Sequence, residues 1–494
     1  MMRCAAVVVL VMLSAGGVGG CAGSGRMAGF TELVKLESSR SCDRCAGYLL
    51  PGRIEASPET VYRIDSDLPE IFLSPGVLYT TRAELPEFLT KDGKSVPREM
   101  RVQRNAGFAG IDGSFEVFVY HMSNPAPGGA PTAPRERRVV VYAKNVGSAA
   151  AVLKPRQIME AHGTMAKADG PESRLAYRVM EDRWERMVDE VKLEPGKGEV
   201  IAWTPRLSVN GAKGKDETGS DFVTGLVRVD VESEEAKAER QNPSPTPSPT
   251  PSLGEGASRH GVFEVTVVAI DGAVEAEDFG SAAEALLDMG ARSGEGAMDL
   301  TIPPPECHVR RVVGVSKNFL WRSDDVRLNA SKLDERGVSF LMAAPGIQTQ
   351  QCPEAKQTQD LLLSPGFVHP ETIGNYMQEY LVTLTLVNPG AAAKLVDVRF
   401  GKQDADVGVA WQVDVGDTAA TRETLMDYPT LVEWAGGWRK DDLPDNTRSF
   451  FMNDLARGEA QWIAVPGKSE RTVTIRMMPV GSSSLPFELR VVGR

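Results

Sequence analysis

The run Phe115-Glu116-Val117-Phe118-Val119-Tyr120-His121 constrains this chain more than any other segment. Side chains alternate along a strand with period two, so residues 115, 117, 119 and 121 share one face while Phe118 and Tyr120 load the other. A strand that is apolar on both faces needs cover on both, as in a packed sandwich. Shorter β-branched or alternating runs at 60–64, 71–73, 77–81, 138–143, 199–203 and 223–231 carry the same signal. Forty-eight Gly and 32 Pro punctuate them, which suits many short strands joined by turns. At 494 residues the chain is long enough for several domains. The expected architecture is all-β: two β-sandwich-like domains with short helices.

Two helices are expected within this pattern. One starts at Pro171 and carries Leu175, Val179, Met180, Trp184, Met187, Val188 and Val191 on one stripe before Pro195-Gly196 stops it. The other is acidic and spans 275–290, leading to Pro303-Pro304-Pro305. Residues 242–252 alternate Pro with Ser or Thr, which rules out a hydrogen-bonded ladder there. Strands 223–231 and 262–270 flank this tract and are expected to pair as a hairpin, with 232–261 as an inserted loop. The expected organisation is therefore a first sandwich over 48–272, an acidic helical connection over 273–305, and a second sandwich over 306–494.

An internal echo supports two related halves. Leu73-Ser74-Pro75-Gly76 returns as Leu363-Ser364-Pro365-Gly366, the segment 139–153 (VVVYAKNVGSAAAVL) as 381–395 (LVTLTLVNPGAAAKL), and Pro195-Gly196-Lys197 as Pro466-Gly467-Lys468. The order is kept and the spacings differ, so the expectation is similar sandwich topology with different loops.

The first residues have another role. Arg3, an apolar run from Cys4 to Leu13, and small residues up to Cys21 form a secretory signal peptide over 1–20. Val18-Gly19-Gly20-Cys21 resembles the bacterial lipobox, in which cleavage precedes a cysteine that is then lipidated. Residues 21–47 read as a lipidated tether holding the body at a membrane surface. Ala22 lacks the aspartate that retains lipoproteins at the inner membrane, so the expected location is the outer membrane of a bacterial envelope. A net charge of −12 repels a phosphate backbone and excludes nucleic acid as a partner.

The chain resembles a family of uncharacterised exported proteins best known from cyanobacteria and defined as a domain of unknown function. The resemblance rests on Leu49-Leu50-Pro51-Gly52, Pro69-Glu70-Ile71, Leu73 to Gly76, Gly113 to His121, Val313-Gly314-Val315 with Trp321, and Gly374-Asn375-Tyr376 leading to Tyr380 through Pro389. It implies a β-rich envelope protein and transfers no catalytic residue. The CxxC, the proline tract and the lipobox lie outside the family pattern.

Candidate chemistry is sparse. Cys42-Asp43-Arg44-Cys45, with Cys307 and Cys352, leaves four thiols after export. An oxidising compartment favours disulfides Cys42–Cys45 and Cys307–Cys352, while a four-cysteine zinc site and a redox-active Cys42/Cys45 pair are the alternatives. The five histidines are scattered, and His121 is expected to hydrogen-bond in a sandwich corner. No GxSxG, HExxH, P-loop or dinucleotide fingerprint occurs in the sequence. Trp434 and Trp438 bracket Ala-Gly-Gly and could present flat faces to a sugar or a protein, or plug a sandwich end. The reading is an envelope-anchored lipoprotein with a non-enzymatic structural or interaction role, no catalytic residue, no metal and no cofactor. Its expected partners are the membrane, envelope proteins and surface glycans. A carbohydrate-binding or glycan-processing module and an envelope redox protein are the rivals.

Overall fold

The computed structural model describes residues 34–36, 50–87, 95–123, 135–162, 175–209, 222–233, 261–289, 313–344, 356–401, 409–415, 431–435, 463–479 and 487–493, apart from 58–59, 68–70, 73, 96, 177, 180–181, 336, 367–369 and 373–375. Among these residues the fold is all-β, with sheets of nine, five, eight and four strands.

The nine- and five-stranded sheets face each other. The first runs, in spatial order, through Val191–Leu193, Ala151–His162, Phe222–Ser233, Phe115–Ser123, Tyr62–Ser66, Val313–Lys317, Leu363–Pro365 and Gln103–Asn105, with Ile71–Phe72 beside Phe115–Ser123. The second runs through Gly198–Trp203, Arg135–Asn145, Phe263–Asp271 and Gly76–Thr80, with Leu207–Val209 also on Arg135–Asn145. Alternate residues of each sheet meet in one core, Ile64, Val117, Val227 and Val315 from the first against Tyr79, Val141, Ile201 and Val265 from the second. Each such side chain contributes about 1.5–3 kcal/mol by leaving water.

The eight- and four-stranded sheets form the other sandwich. Glu379–Asn388 is central, bordered on one side by Ser469–Pro479 and on the other by two short strands end to end, Phe319–Ser323 and Val326–Asn329. Trp321, Leu384 and Ile475 pack against Phe340, Val398 and Leu489 of the four-stranded sheet.

The acidic helix expected over 275–290 is present as a short 3-10 turn, Ala276–Asp278, running into α1, Phe279–Asp288. It buries Phe279, Ala283 and Leu287 on the outer face of the five-stranded sheet, against Val140, Tyr142, Val200 and Val268. This helix is thus part of the first sandwich's packing.

Three expectations are corrected. Among the described residues, the helix expected from Pro171 is present at Leu175–Ala176 and Arg178–Val179 and does not continue to Val191. Asp182 then takes a left-handed conformation (φ 56°), Glu185 pairs its backbone with Gln157, and Val191–Leu193 is a strand. The apolar stripe is shared between two cores: Leu175, Ala176 and Val179 pack behind the nine-stranded sheet, and Val191 packs in the main core. The expected hairpin of 223–231 with 262–270 does not form. Phe222–Ser233 pairs with Phe115–Ser123 and Ala151–His162, whereas Phe263–Asp271 pairs with Arg135–Asn145 and Gly76–Thr80 in the opposite sheet. Alternation alone told the strands' faces but not their sheets. Finally, Leu73 to Gly76 and Leu363 to Gly366 are not equivalent: Gly76–Thr80 belongs to the five-stranded sheet and Leu363–Pro365 to the nine-stranded one.

The other two echoes are equivalent in detail. Arg135–Asn145 and Ala151–His162 lie in opposite sheets of one sandwich, as Glu379–Asn388 and Lys394–Gly401 do in the other. In each, an Asn at the crossing holds the arch. Asn145 Nδ2 donates to the carbonyls of Ala149 (2.8 Å) and Leu193 (2.9 Å), and Gly147 N–H donates back to its Oδ1 at 3.0 Å. Asn388 Nδ2 donates to Ala392 (2.8 Å) and Val465 (2.9 Å), and Gly390 N–H returns to Oδ1 at 3.1 Å. The Pro-Gly-Lys turns lie against these arches. At Gly467 a β-carbon would strike the Ala391 carbonyl.

Strands from both sides of residues 273–305 share sheets. Val313–Lys317 and Leu363–Pro365 complete the nine-stranded sheet, while Gly52–Ala56 pairs with Phe319–Ser323 in the eight-stranded one. Val34–Leu36, within the expected tether, pairs with Val326–Leu328.

Candidate functional site

The back of the nine-stranded sheet, facing away from the main core, carries a row of polar residues across five neighbouring strands. Cross-strand register places Arg156 opposite Arg228, Arg228 opposite Glu116, Glu116 opposite Arg63, and Arg63 opposite Ser316. The residues next to them in sequence, Val117, Val227, Ile64 and Val315, point into the main core, so the period-two rule sends the polar row to the other side.

Arg63 is the hub of this row. Its side chain is 3% exposed; Nε donates to Asp65 Oδ1 at 2.9 Å and Nη1 to Glu116 Oε1 at 3.0 Å. Nη2 donates to the Tyr376 carbonyl (2.5 Å) and Nη1 also to that of Met377 (3.3 Å), so one guanidinium reaches from the first sandwich into the approach to strand Glu379–Asn388. Its plane lies over Phe118 at 5.4 Å. Met377 is itself left-handed (φ 59°), and its N–H donates to the Pro479 carbonyl at 2.6 Å. Glu116 Oε2 accepts from Arg228 Nη2 at 3.1 Å, giving the carboxylate two cationic partners. On the second sandwich, Arg476 grips Glu379 through both oxygens at 2.7 and 3.0 Å. Apolar packing by Phe118, Tyr120, Leu226, Tyr376, Met377 and Met478 closes the seam.

Burial dominates the ionisation here. It pushes the Glu116 carboxyl up to about 7; Arg63 opposes the rise, and the nearby charges of Asp65 and Glu379 add to it. Burial also raises Asp65, again against Arg63. Arg228 is lowered to about 10, chiefly by its own desolvation.

At the other end of the row, Trp184 covers both arginines. Its ring centre lies 4.5 Å from the Arg228 guanidinium carbon and 5.8 Å from that of Arg156. Arg156 Nη2 stands 3.6 Å from Asp230 Oδ2. Trp184 Nε1 and Arg156 Nε are buried and meet no acceptor among the described residues. The arrangement can clamp two sandwiches together, hold a carboxyl that titrates near neutrality, and offer two N–H donors to an acceptor oxygen.

Of the residues singled out from sequence, Trp434 lies on Leu431–Ala435, paired with Val409–Val415 in the eight-stranded sheet. Cys21, Cys42, Cys45, Cys307, Cys352 and Trp438 lie outside the described residues, as does the proline tract. His121 is fully buried and its Nε2 stands 2.9 Å from Ser66 Oγ; the hydrogen bond expected of it is present, but it joins neighbouring strands within the nine-stranded sheet and not a sandwich corner. Among the described residues no group of three or more His, Cys, Asp or Glu side chains converges as a metal site. Sequence reasoning passed over Arg63, Glu116, Arg228 and Trp184. The available signal was a charge inside an apolar strand, Phe-Glu-Val-Phe and Tyr-Arg-Ile. No family model and no curated protein matches the chain.

Proposed function

We propose that this chain is an envelope-anchored lipoprotein whose paired sandwiches serve a non-enzymatic structural or interaction role. The observation that carries the reading is the stitching of the two halves. Gly52–Ala56 joins the second sandwich, Val313–Lys317 and Leu363–Pro365 join the first, and Arg63 bridges between them. Relative motion of the halves would break sheet hydrogen bonds and strand a buried guanidinium, so the body suits a stiff spacer or platform. The Val18-Gly19-Gly20-Cys21 motif supplies the anchor in this reading. Fractionating cells that produce the full chain or Cys21→Ser tests it. The expected result is a membrane-bound native protein and an unlipidated precursor or soluble variant, with cross-linking in intact envelopes trapping the native chain on envelope proteins. A native chain with an unmodified mature N-terminus at another position overturns the anchor. Cross-linking that finds the chain free in the surrounding compartment overturns the interaction role.

A further inference from the structure

We propose that the site formed by Trp184, Arg156 and Arg228, on the back of the nine-stranded sheet, binds a carboxylate. Three independent observations converge on it. Arg156 and Arg228 stand directly opposite each other on adjacent strands, a like-charge pairing that costs stability and that Glu116, 3.1 Å from Arg228, offsets on the Arg228 side. The acids of this face are already paired. Glu116 is shared by Arg63 and Arg228, Glu160 is held by Arg178 at 2.7 Å, and Glu232 by Lys154 at 3.0 Å. Asp230 is 43% exposed; it stands 3.6 Å from Arg156 Nη2, and its charge also acts on Arg228.

The donors are also in place. Arg156 Nε and Trp184 Nε1 are buried N–H groups with no acceptor among the described residues, and a buried donor left unpaired costs stability. A carboxylate offers two acceptor oxygens, one for each of the two N–H groups. The indole over both guanidiniums excludes water and strengthens the charge-assisted bonds. The Arg156 side chain is 28% exposed and that of Asp230 43%, so the rim of the site meets solvent. The orphan donors recognise the carboxylate group itself, whether a sugar acid or a peptide-type acid bears it.

The test follows the indole N–H signals of the full chain, labelled with 15N at tryptophan; Trp184→Phe assigns the Trp184 resonance. The probes are glucuronate and N-acetylalanine, with glucose and N-acetylalaninamide as their neutral counterparts. The expected result is a saturable shift of the Trp184 signal by one or both acids, with Kd on the order of 1 mM. Neither neutral compound should produce it. A response to glucuronate alone assigns a sugar acid, and a response to N-acetylalanine alone assigns a peptide-type acid. Arg156→Gln should weaken binding at least several-fold while the other indole signals stay in place, which shows that the fold survives. A Trp184 signal unmoved by both acids at tens of millimolar overturns the proposal. So does one moved equally by the neutral compounds, or one whose titration is indifferent to Arg156→Gln.

Discussion

Glu116 shows how a single residue's setting becomes a measurable property. Its carboxyl is 4% exposed and its pKa is raised from 4.5 to about 7 by burial. A raised carboxyl pKa means that the folded chain holds the proton more tightly than the unfolded one. The stabilisation from this group is therefore complete below about 4.5 and is lost as pH rises through about 7. Glu116→Gln keeps the shape and removes the titration. Urea unfolding at pH 4.5 and pH 8 should show the native chain losing about 3 kcal/mol relative to the variant across that interval. An unchanged difference between the two proteins would mean that Glu116 stays ionised throughout. None of this was legible in the sequence at the residue scale. Alternation gave the two faces of 115–121 correctly, but Arg63, Glu116 and Arg228 are far apart in the chain and only strand register brings them into a row.

At the scale of elements, the legible part was the repeated strand-turn-strand, and the reason is chemical. Asn145 and Asn388 are each fully buried where the chain crosses between sheets, and each must satisfy the same set of arch and turn groups. That requirement fixes the local sequence, so it shows as an echo. Replacing either Asn by Ala leaves buried carbonyls without donors, and stability should fall by about 1–3 kcal/mol in equilibrium unfolding. Aspartate should do no better, because it lacks the Nδ2 donor and brings a charge into the arch. A loss under about 0.5 kcal/mol, typical of surface changes, would show that the arches hold without the clamp. The illegible parts had no such local demand. The stripe over 175–191 satisfies helical periodicity, yet backbone pairing of Glu185 with Gln157 wins over it. The run at 262–270 alternates as a good strand and carries nothing that selects its sheet.

For the whole molecule, the question is whether the two sandwiches are separable. Their segments cross in both directions: Gly52–Ala56 is hydrogen-bonded into the second sandwich, and Val313–Lys317 and Leu363–Pro365 into the first. A chain ending at residue 305 would expose the edge of Tyr62–Ser66, and a chain starting at 306 would lack Gly52–Ala56, one of the two strands paired with Phe319–Ser323. The expected outcome is one cooperative thermal transition for the full chain, with neither half giving a native-like transition alone. The proline tract at 242–252 gives the sharper test. It joins Phe222–Ser233 in the nine-stranded sheet to Phe263–Asp271 in the five-stranded sheet, and both strands line one core through Val223, Val227, Val265 and Val267. A protease cut there severs the backbone and removes no core contact. The two fragments should co-elute on native size exclusion and part only in denaturant, because each strand remains hydrogen-bonded to neighbours within its own sheet. Fragments that separate freely without denaturant would mean that the strands on either side of the tract belong to independent bodies, and the shared core between the nine- and five-stranded sheets would have to be abandoned.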